Sequence, residues 1–417
     1  MGYKAPRGTR DVMFEEAARW RYLVEEFRKL CQLYGFEEII TPIFEESQLF
    51  IRSVGEESDV VKKEMYLFHD RSKRKRELAL RPEGTAAVAR AYIEHGLYNA
   101  VQPVKLFYFG PMFRYDRPQA GRQRQFFQFG LECFGSQDPA TDVEIIKLTA
   151  DFFSRLGLKG VKLHLNSVGC RNCRPSYQKV LNDFAAAKSA LLCPDCRRRV
   201  ITNPLRLLDC KENSCRAIMK EAPQMHTCLC SSCYEQLQEV QELLESLNIP
   251  YFFDPYLVRG LDYYTNTAFE FISDYLGAQG SLGGGGRYDN LVEICGGPPT
   301  PGVGMAAGIE RILLAMEQEG IKPKKEAVIG TFLAIEAPEL KKDAFRLLYL
   351  LRDKGIKADI DYQNRSLKAQ MKYAGRKKFR YVIILEKENK NKVLLRDMES
   401  GEQQELSETD LINFLLY

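Results

Sequence analysis

Nine of the twelve cysteines in this 417-residue chain fall between positions 170 and 233. Cys170-x2-Cys173, Cys193-x2-Cys196, Cys210-x4-Cys215 and Cys230-x2-Cys233, the last preceded by Cys228, are spaced like thiolate ligands of a tetrahedral metal such as zinc. Two four-thiolate sites with one cysteine to spare satisfy the arithmetic. Reduced thiols packed as small apolar residues are the alternative, and spacing leaves both open. A second set of residues forms an arginine–carboxylate pattern. Arg114 ends the aromatic run 107–113 and opens a polar loop holding Arg117, Gln119, Arg122 and Arg124. Arg311 follows Glu310 within the apolar stretch 306–316, which reads as a helix. An arginine between apolar neighbours is costly to bury unless an anion meets it. Each reads alone as a salt-bridged core residue; only a larger pattern containing both would point elsewhere.

Other chemistries are excluded by what is missing. The sequence has no G-x-x-x-x-G-K-[ST], and Gly302-x-Gly304-x-x-x-Gly308 has the wrong spacing for a dinucleotide fingerprint. Four scattered histidines, His69, His95, His164 and His226, indicate neither a hydrolase triad nor a histidine-rich metal site. With 45% apolar and 28% charged residues the chain reads as a folded soluble protein. Its net charge of +4 says nothing by itself about nucleic acid. No run approaches the roughly 18 apolar residues needed to cross a bilayer, and the polar, basic start lacks a targeting pattern. The expectation is a cytosolic protein with no membrane contact, its cysteines reduced or metal-bound.

The elements that must carry these residues follow from periodicity. Residues 14–33 have apolar positions at helical spacing and stop at Gly35; 37–43 reads as a strand broken by Pro42. A helix over 84–97, strands over 104–109 and 126–134 flanking the polar loop, a helix over 141–156 and a strand over 161–165 follow. The cysteine-rich texture of 170–250 reads as an insertion. After a polar linker at 322–326, strand and helix alternate to the end, as in a small α/β domain. Residues 365–380 carry seven Lys/Arg and no acid on an apparent helix, with Leu367, Met371 and Ala374 facing inward.

In this order the strings resemble the class II aminoacyl-tRNA synthetases, and within them the histidyl-tRNA synthetase family. Gly35 to Pro42 is similar to the first class motif, Phe113-Arg114 through Glu132 to the second, and Gly302 to Arg311 to the third. Leu257-Val258-Arg259-Gly260-Leu261-Asp262-Tyr263-Tyr264 and Gly284-Gly285-Gly286-Arg287-Tyr288-Asp289 resemble strings particular to the histidine enzymes. Ala5-Pro6-Arg7-Gly8-Thr9-Arg10-Asp11 and Leu80-Arg81-Pro82-Glu83-Gly84-Thr85 match as well.

The resemblance implies an α+β fold: an antiparallel-sheet catalytic domain over 1–169 and 251–321, a cysteine-rich insertion over 170–250, and an anticodon-binding-like α/β domain over 327–417. It implies ATP-dependent formation of histidyl-adenylate and transfer to tRNA(His), with magnesium on the phosphates and a homodimer as the working form. Arg114, Arg259 and Arg311 would act on the phosphates, with Arg122 also near ATP. Glu83, Gly84, Thr85, Gln128, Glu132, Tyr263, Tyr264 and Tyr288, with Arg114 and Arg259, would receive histidine. Arg117, Gln119 and Arg124 would meet the tRNA acceptor end, and Arg365, Lys368 and Lys372 its anticodon arm. The rival is a catalytically inactive relative, a histidine-sensing regulatory subunit of ATP phosphoribosyltransferase. Such a relative would lose synthetase positions and the last domain.

Overall fold

The strand Gln125–Phe134 sets the plan of the larger unit through its alternation. Phe127, Phe129, Leu131 and Cys133 face the main apolar core, while Phe126, Gln128, Gly130, Glu132 and Phe134 point the other way. The same parity holds across its neighbours. Val303, Met305 and Ala307 of Gly302–Gly308, and Phe269 and Phe271 of Thr265–Ser273, line that core. Gly304 pairs with Glu132 and Gly286, and Gly284 pairs with Glu270, on the opposite face. One face of the sheet is therefore hydrophobic and the other carries polar side chains over glycines.

The computed structural model describes residues 2–73, 75–321, 330–388 and 392–416, and the chain divides into units Met1–Pro323 and Lys324–Tyr417. In the first, eight strands lie in the order Glu37–Glu38, Val104–Phe113, Gln125–Phe134, Gly302–Gly308, Ser281–Arg287, Thr265–Ser273, Val161–Ser167 and Tyr251–Phe253. Only the two outermost pairings are parallel. The helix Phe14–Leu33 covers the apolar face through Trp20, Leu23, Phe27 and Leu30. Phe27 meets the rings of Phe107, Phe129 and Phe152 at 4.2–5.9 Å. A three-stranded sheet of Phe44–Glu46, Glu77–Leu80 and Tyr66–His69 lies outside the large one.

Three expectations shift. The run 37–43 contributes only Glu37–Glu38 as strand, because Pro42 removes a donor just beyond it. Residues 302–308 form a strand, and the helix bearing Arg311 starts at Ile309 rather than near Ala306. The insertion has its own core of Tyr177, Leu181, Leu192, Leu207 and Met219. Its return helix Ser231–Ser246, however, buries Leu237, Val240 and Leu244 in the main core, so by packing that helix is shared with the sheet.

The second unit has five strands in the order Ala358–Ile360, Thr331–Ile335, Tyr381–Leu385, Val393–Asp397 and Gln403–Leu406. Alternation again sets the layers. Phe332 and Ala334 pack beneath Leu367–Arg376, while Leu333 and Ile335 pack beneath Lys341–Asp353 and Leu411 of Glu408–Leu416. The unit closes with the strand Gln403–Leu406 and the helix Glu408–Leu416, and the expected linker 322–326 lies outside the described residues.

Candidate active site

The polar face of the sheet converges on Glu132, which is fully buried. Thr85 Oγ1 donates to its Oε1 at 2.7 Å, and the Tyr288 hydroxyl donates to Oε2. Burial pushes the carboxyl well above its ordinary pKa, and these two hydrogen bonds partly offset that. A side chain at Gly304 would run into this carboxylate and the Tyr288 hydroxyl, which is why glycine stands there. Tyr263, Tyr264 and Tyr288 form a ring cluster with centroids 4.7–6.4 Å apart. Glu83, also buried, accepts from the amides of Thr85 (2.7 Å) and Ala86 (3.0 Å). It thus caps the helix Thr85–Glu94, and each oxygen keeps a further lone pair. Gly84 leaves room for the Tyr108 ring beside it. On the same strand face as Glu132, Gln128 Oε1 is buried without a hydrogen-bond partner. A buried acceptor left open beside such a pocket is what a ligand donor would fill.

Next to this pocket four arginines converge. Arg114 donates Nε to Pro82 O at 2.8 Å and lies 5.4 Å from the Phe126 ring. Arg259 donates Nη1 to Glu270 Oε1 at 2.6 Å, while its buried Nε has no partner. Arg311 donates Nη1 to Ser281 O at 2.7 Å, and Arg122 pairs with Asp116 at 2.8 Å. Burial, then the charges of Arg122, Arg114 and Arg259, depress the Arg311 pKa, with Glu270 opposing. Arg114 is lowered by burial and by Arg122, with Glu64 and Glu83 opposing. Four guanidiniums held together, with Arg311 bonded to a carbonyl rather than a carboxylate, form a site for a polyanion. Gly284 permits it: a Cβ there would sit 2.7 Å from Arg259 Nη1.

The remaining expected residues scatter. In the loop, Arg117 and Gln119 are exposed, and Gln119 and Arg122 exchange backbone hydrogen bonds of 3.0 and 2.9 Å. Arg124 stacks 3.7 Å over Tyr115. In the second unit Arg365 turns inward to Asp361 (2.6 Å) and the Tyr373 ring (4.5 Å), whereas Lys368 and Lys372 stay exposed. The eight paired cysteines gather as Cys170/Cys173/Cys230/Cys233 and Cys193/Cys196/Cys210/Cys215, each set with its sulfurs within 4.8 Å. Cys228 belongs to neither.

Sequence reasoning missed Glu270, the carboxylate that fixes Arg259. Its only signal was a charge between Phe269 and Phe271, which reads equally as the solvent side of a strand. It also missed Arg81, buried and bonded to Thr41 O, Thr41 Oγ1 and Pro111 O at 2.9–3.0 Å. That residue ties the first motif to the strand Val104–Phe113.

A mainly antiparallel sheet whose polar face presents half-buried arginines beside a buried polar pocket is the arrangement of a class II aminoacyl-tRNA synthetase. Residues 8–312 match the model of the histidyl-tRNA synthetase family, and residues 326–416 that of an anticodon binding domain. The histidine–tRNA ligase of Natranaerobius thermophilus is 54% identical over 403 residues, 96% of this chain and 95% of that protein. That of Pelotomaculum thermopropionicum is 53% identical over 98% of this chain and 96% of its own length. The crystal structure of apo S. aureus histidyl-tRNA synthetase superposes with a TM-score of 0.84 at 38% identity, covering 100% of both chains. The chain belongs to the histidyl-tRNA synthetase family.

Proposed function

We propose that this chain activates L-histidine with ATP and esterifies it to tRNA(His), an AMP-forming ligase of protein biosynthesis. The observation that carries this is the juxtaposition of the under-satisfied arginines with the Glu132 pocket and the open Gln128 acceptor.

In the first step an oxygen of the histidine carboxylate attacks the α-phosphorus of ATP. A carbon-bound oxygen–phosphorus bond forms, and pyrophosphate leaves with the electrons of the α–β bridge. Negative charge grows on the phosphate oxygens, where fixed guanidiniums stabilise it most. Arg114 and Arg259 serve the α-phosphate and the histidine carboxylate, and Arg311 the far phosphates, with Arg122 beside it. Glu83, Thr85 and Gln128 accept from the ammonium. Glu132, with Tyr264 and Tyr288, meets the imidazole nitrogens, so an apolar isostere would leave buried groups unpaired. Such a pocket can discriminate by about 10⁴-fold. Glu64 and Glu270, carboxylates beside the arginines, would help hold a magnesium ion that would neutralise charge on the phosphates. In the second step the terminal 3′-hydroxyl of the tRNA attacks the acyl carbon and AMP leaves. Arg117, Gln119 and Arg124 face the acceptor end, and Lys368 and Lys372, with Arg365 behind them, the anticodon arm.

Two sets of four cysteines are read as structural zinc sites. The homodimer reading is supported by exposed Ile40, Ile43, Phe44, Leu67 and Phe68 on and beside the small sheet. No described helix is long and apolar enough to cross a membrane, and the reading places the enzyme in the cytoplasm. The regulatory alternative gains nothing from the site, since histidine sensing needs no polyanion cluster. Histidine-dependent exchange of labelled pyrophosphate into ATP, with the other nineteen amino acids as controls, tests the proposal. Exchange with histidine alone is expected; none from folded chain that still binds histidine would favour the regulator.

A further inference from the structure

Sulfur geometry separates metal sites from an apolar thiol cluster. Four sulfurs at ~2.3 Å from a tetrahedral centre lie ~3.8 Å apart. In the first set the separations are 3.7 Å (Cys170–Cys173), 3.8 Å (Cys170–Cys230), 3.8 Å (Cys173–Cys233) and 3.4 Å (Cys230–Cys233). In the second, Cys193 and Cys210 are 3.9 Å apart. Backbone amides also aim at the sulfurs: Cys170 N at Cys173 (3.2 Å), Asn172 N at Cys170 (3.3 Å), Cys193 N at Cys215 (3.2 Å) and Cys196 N at Cys193 (3.4 Å). Amides donating to sulfur stabilise thiolate, the form a metal needs.

The two sets hold different things. The first sits where the chain leaves Val161–Ser167 and where it returns at the start of Ser231–Ser246. It closes the base of the insertion. The second brackets the segment 197–209, whose side chains reach the loop carrying Arg259. Asn203 Nδ2 donates to Asp262 Oδ1 at 3.0 Å, and Arg206 donates to Gly260 O and pairs with Asp262 at 3.3 Å. Arg199 steadies the segment, donating to Arg206 O at 3.3 Å and to Asp59 at 3.2 Å. Between this grip and Arg259 lies a cleft lined by Arg174, Asn203, Arg206, Arg259, Asp262 and Tyr264. Gly260 and Asp262 therefore fix the backbone on one side of Arg259, while Glu270 fixes its guanidinium on the other.

We propose that the Cys193/Cys196/Cys210/Cys215 set, holding a zinc ion, makes Asn203 and Arg206 positioning residues for Arg259, so that the insertion acts on adenylate formation. The Cys170/Cys173/Cys230/Cys233 zinc only anchors the insertion. This rests on the reading of Arg259 as an adenylating arginine, whereas the metal sites stand independently of it. A residue that places a transition-state cation loses kcat more than KM when removed.

The test uses the full chain purified without chelator, assayed for metal content and for histidine-dependent pyrophosphate exchange. Two zinc ions per chain are expected, and one in Cys196→Ser. Arg206→Ala and Asn203→Ala should retain both ions yet lose about 10- to 100-fold in kcat with little change in histidine KM. Arg206→Lys should recover part of that loss. Should Cys196→Ser fail to fold, the Arg206 and Asn203 variants still decide the matter. Fewer than two zinc ions, or an iron–thiolate absorbance in their place, overturns the metal assignment. Unchanged kcat in both zinc-replete variants overturns the positioning role. Absence of exchange in the unaltered chain with every amino acid, zinc content intact, would instead strike at the ligase reading and remove the basis of the positioning role.

Discussion

Arg287 and Arg259 lie at the same large sheet and have opposite surroundings. The Arg287 side chain is 1% exposed and saturated: Asp142 at 2.6 Å, Ser136 O at 2.8 Å, Thr141 Oγ1 at 3.0 Å, Asp138 O at 3.2 Å and Asp289 at 3.3 Å. Arg259 has one carboxylate and an open Nε, and Arg311 has one carbonyl and arginine neighbours that repel it. A saturated buried arginine is architecture, since nothing remains for a ligand to take. An unsaturated one is held in readiness for an anion, and the fold must bear the repulsion among its neighbours.

Substitutions can break or sharpen that contrast. The largest effect should come from Arg287→Ala, which leaves Asp142 buried and unpaired. It should lower folding stability by about 3–5 kcal/mol in urea unfolding. A loss below about 1 kcal/mol would erase the distinction. Arg259→Ala should do the reverse, reducing pyrophosphate exchange about 10²–10³-fold while its unfolding midpoint stays near that of the parent chain. Gln128→Ala removes a neutral acceptor and should raise the KM for histidine roughly tenfold, the worth of about 1.5 kcal/mol for a hydrogen bond to a charged group. An unaltered KM would mean that the open acceptor serves no ligand. The smallest change belongs to exposed Lys372. Lys372→Ala should leave exchange untouched and lower the salt dependence of tRNA binding by about one counterion at most.

The same contrast explains what could be read from sequence. Helix Phe14–Leu33 and the hairpin of Val104–Phe113 with Gln125–Phe134 were legible because their apolar spacing matches the face they bury. The strands Ser281–Arg287 and Gly302–Gly308 were obscure, because glycine carries no periodic signal. There it serves space, clearing room for Arg259 and for Glu132 with Tyr288. Arg287 stood inside a recognised string, yet nothing in the string says that Asp142, far back in the chain, would saturate it. Glu270 was hidden for the same reason: its partner Arg259 lies on a loop, and no local pattern joins the two.

The meeting of Cys173 with Cys233, their sulfurs 3.8 Å apart, bears on how the chain can be engineered. Sixty residues of sequence return to the spot they left, so to the sheet the whole excursion is geometrically one tight turn. A shortened chain that joins the end of Val161–Ser167 to the helix Ser231–Ser246 by a brief connector asks no strand to move. Such a chain would keep the sheet but lose the grip of Asn203 and Arg206 on the loop carrying Arg259.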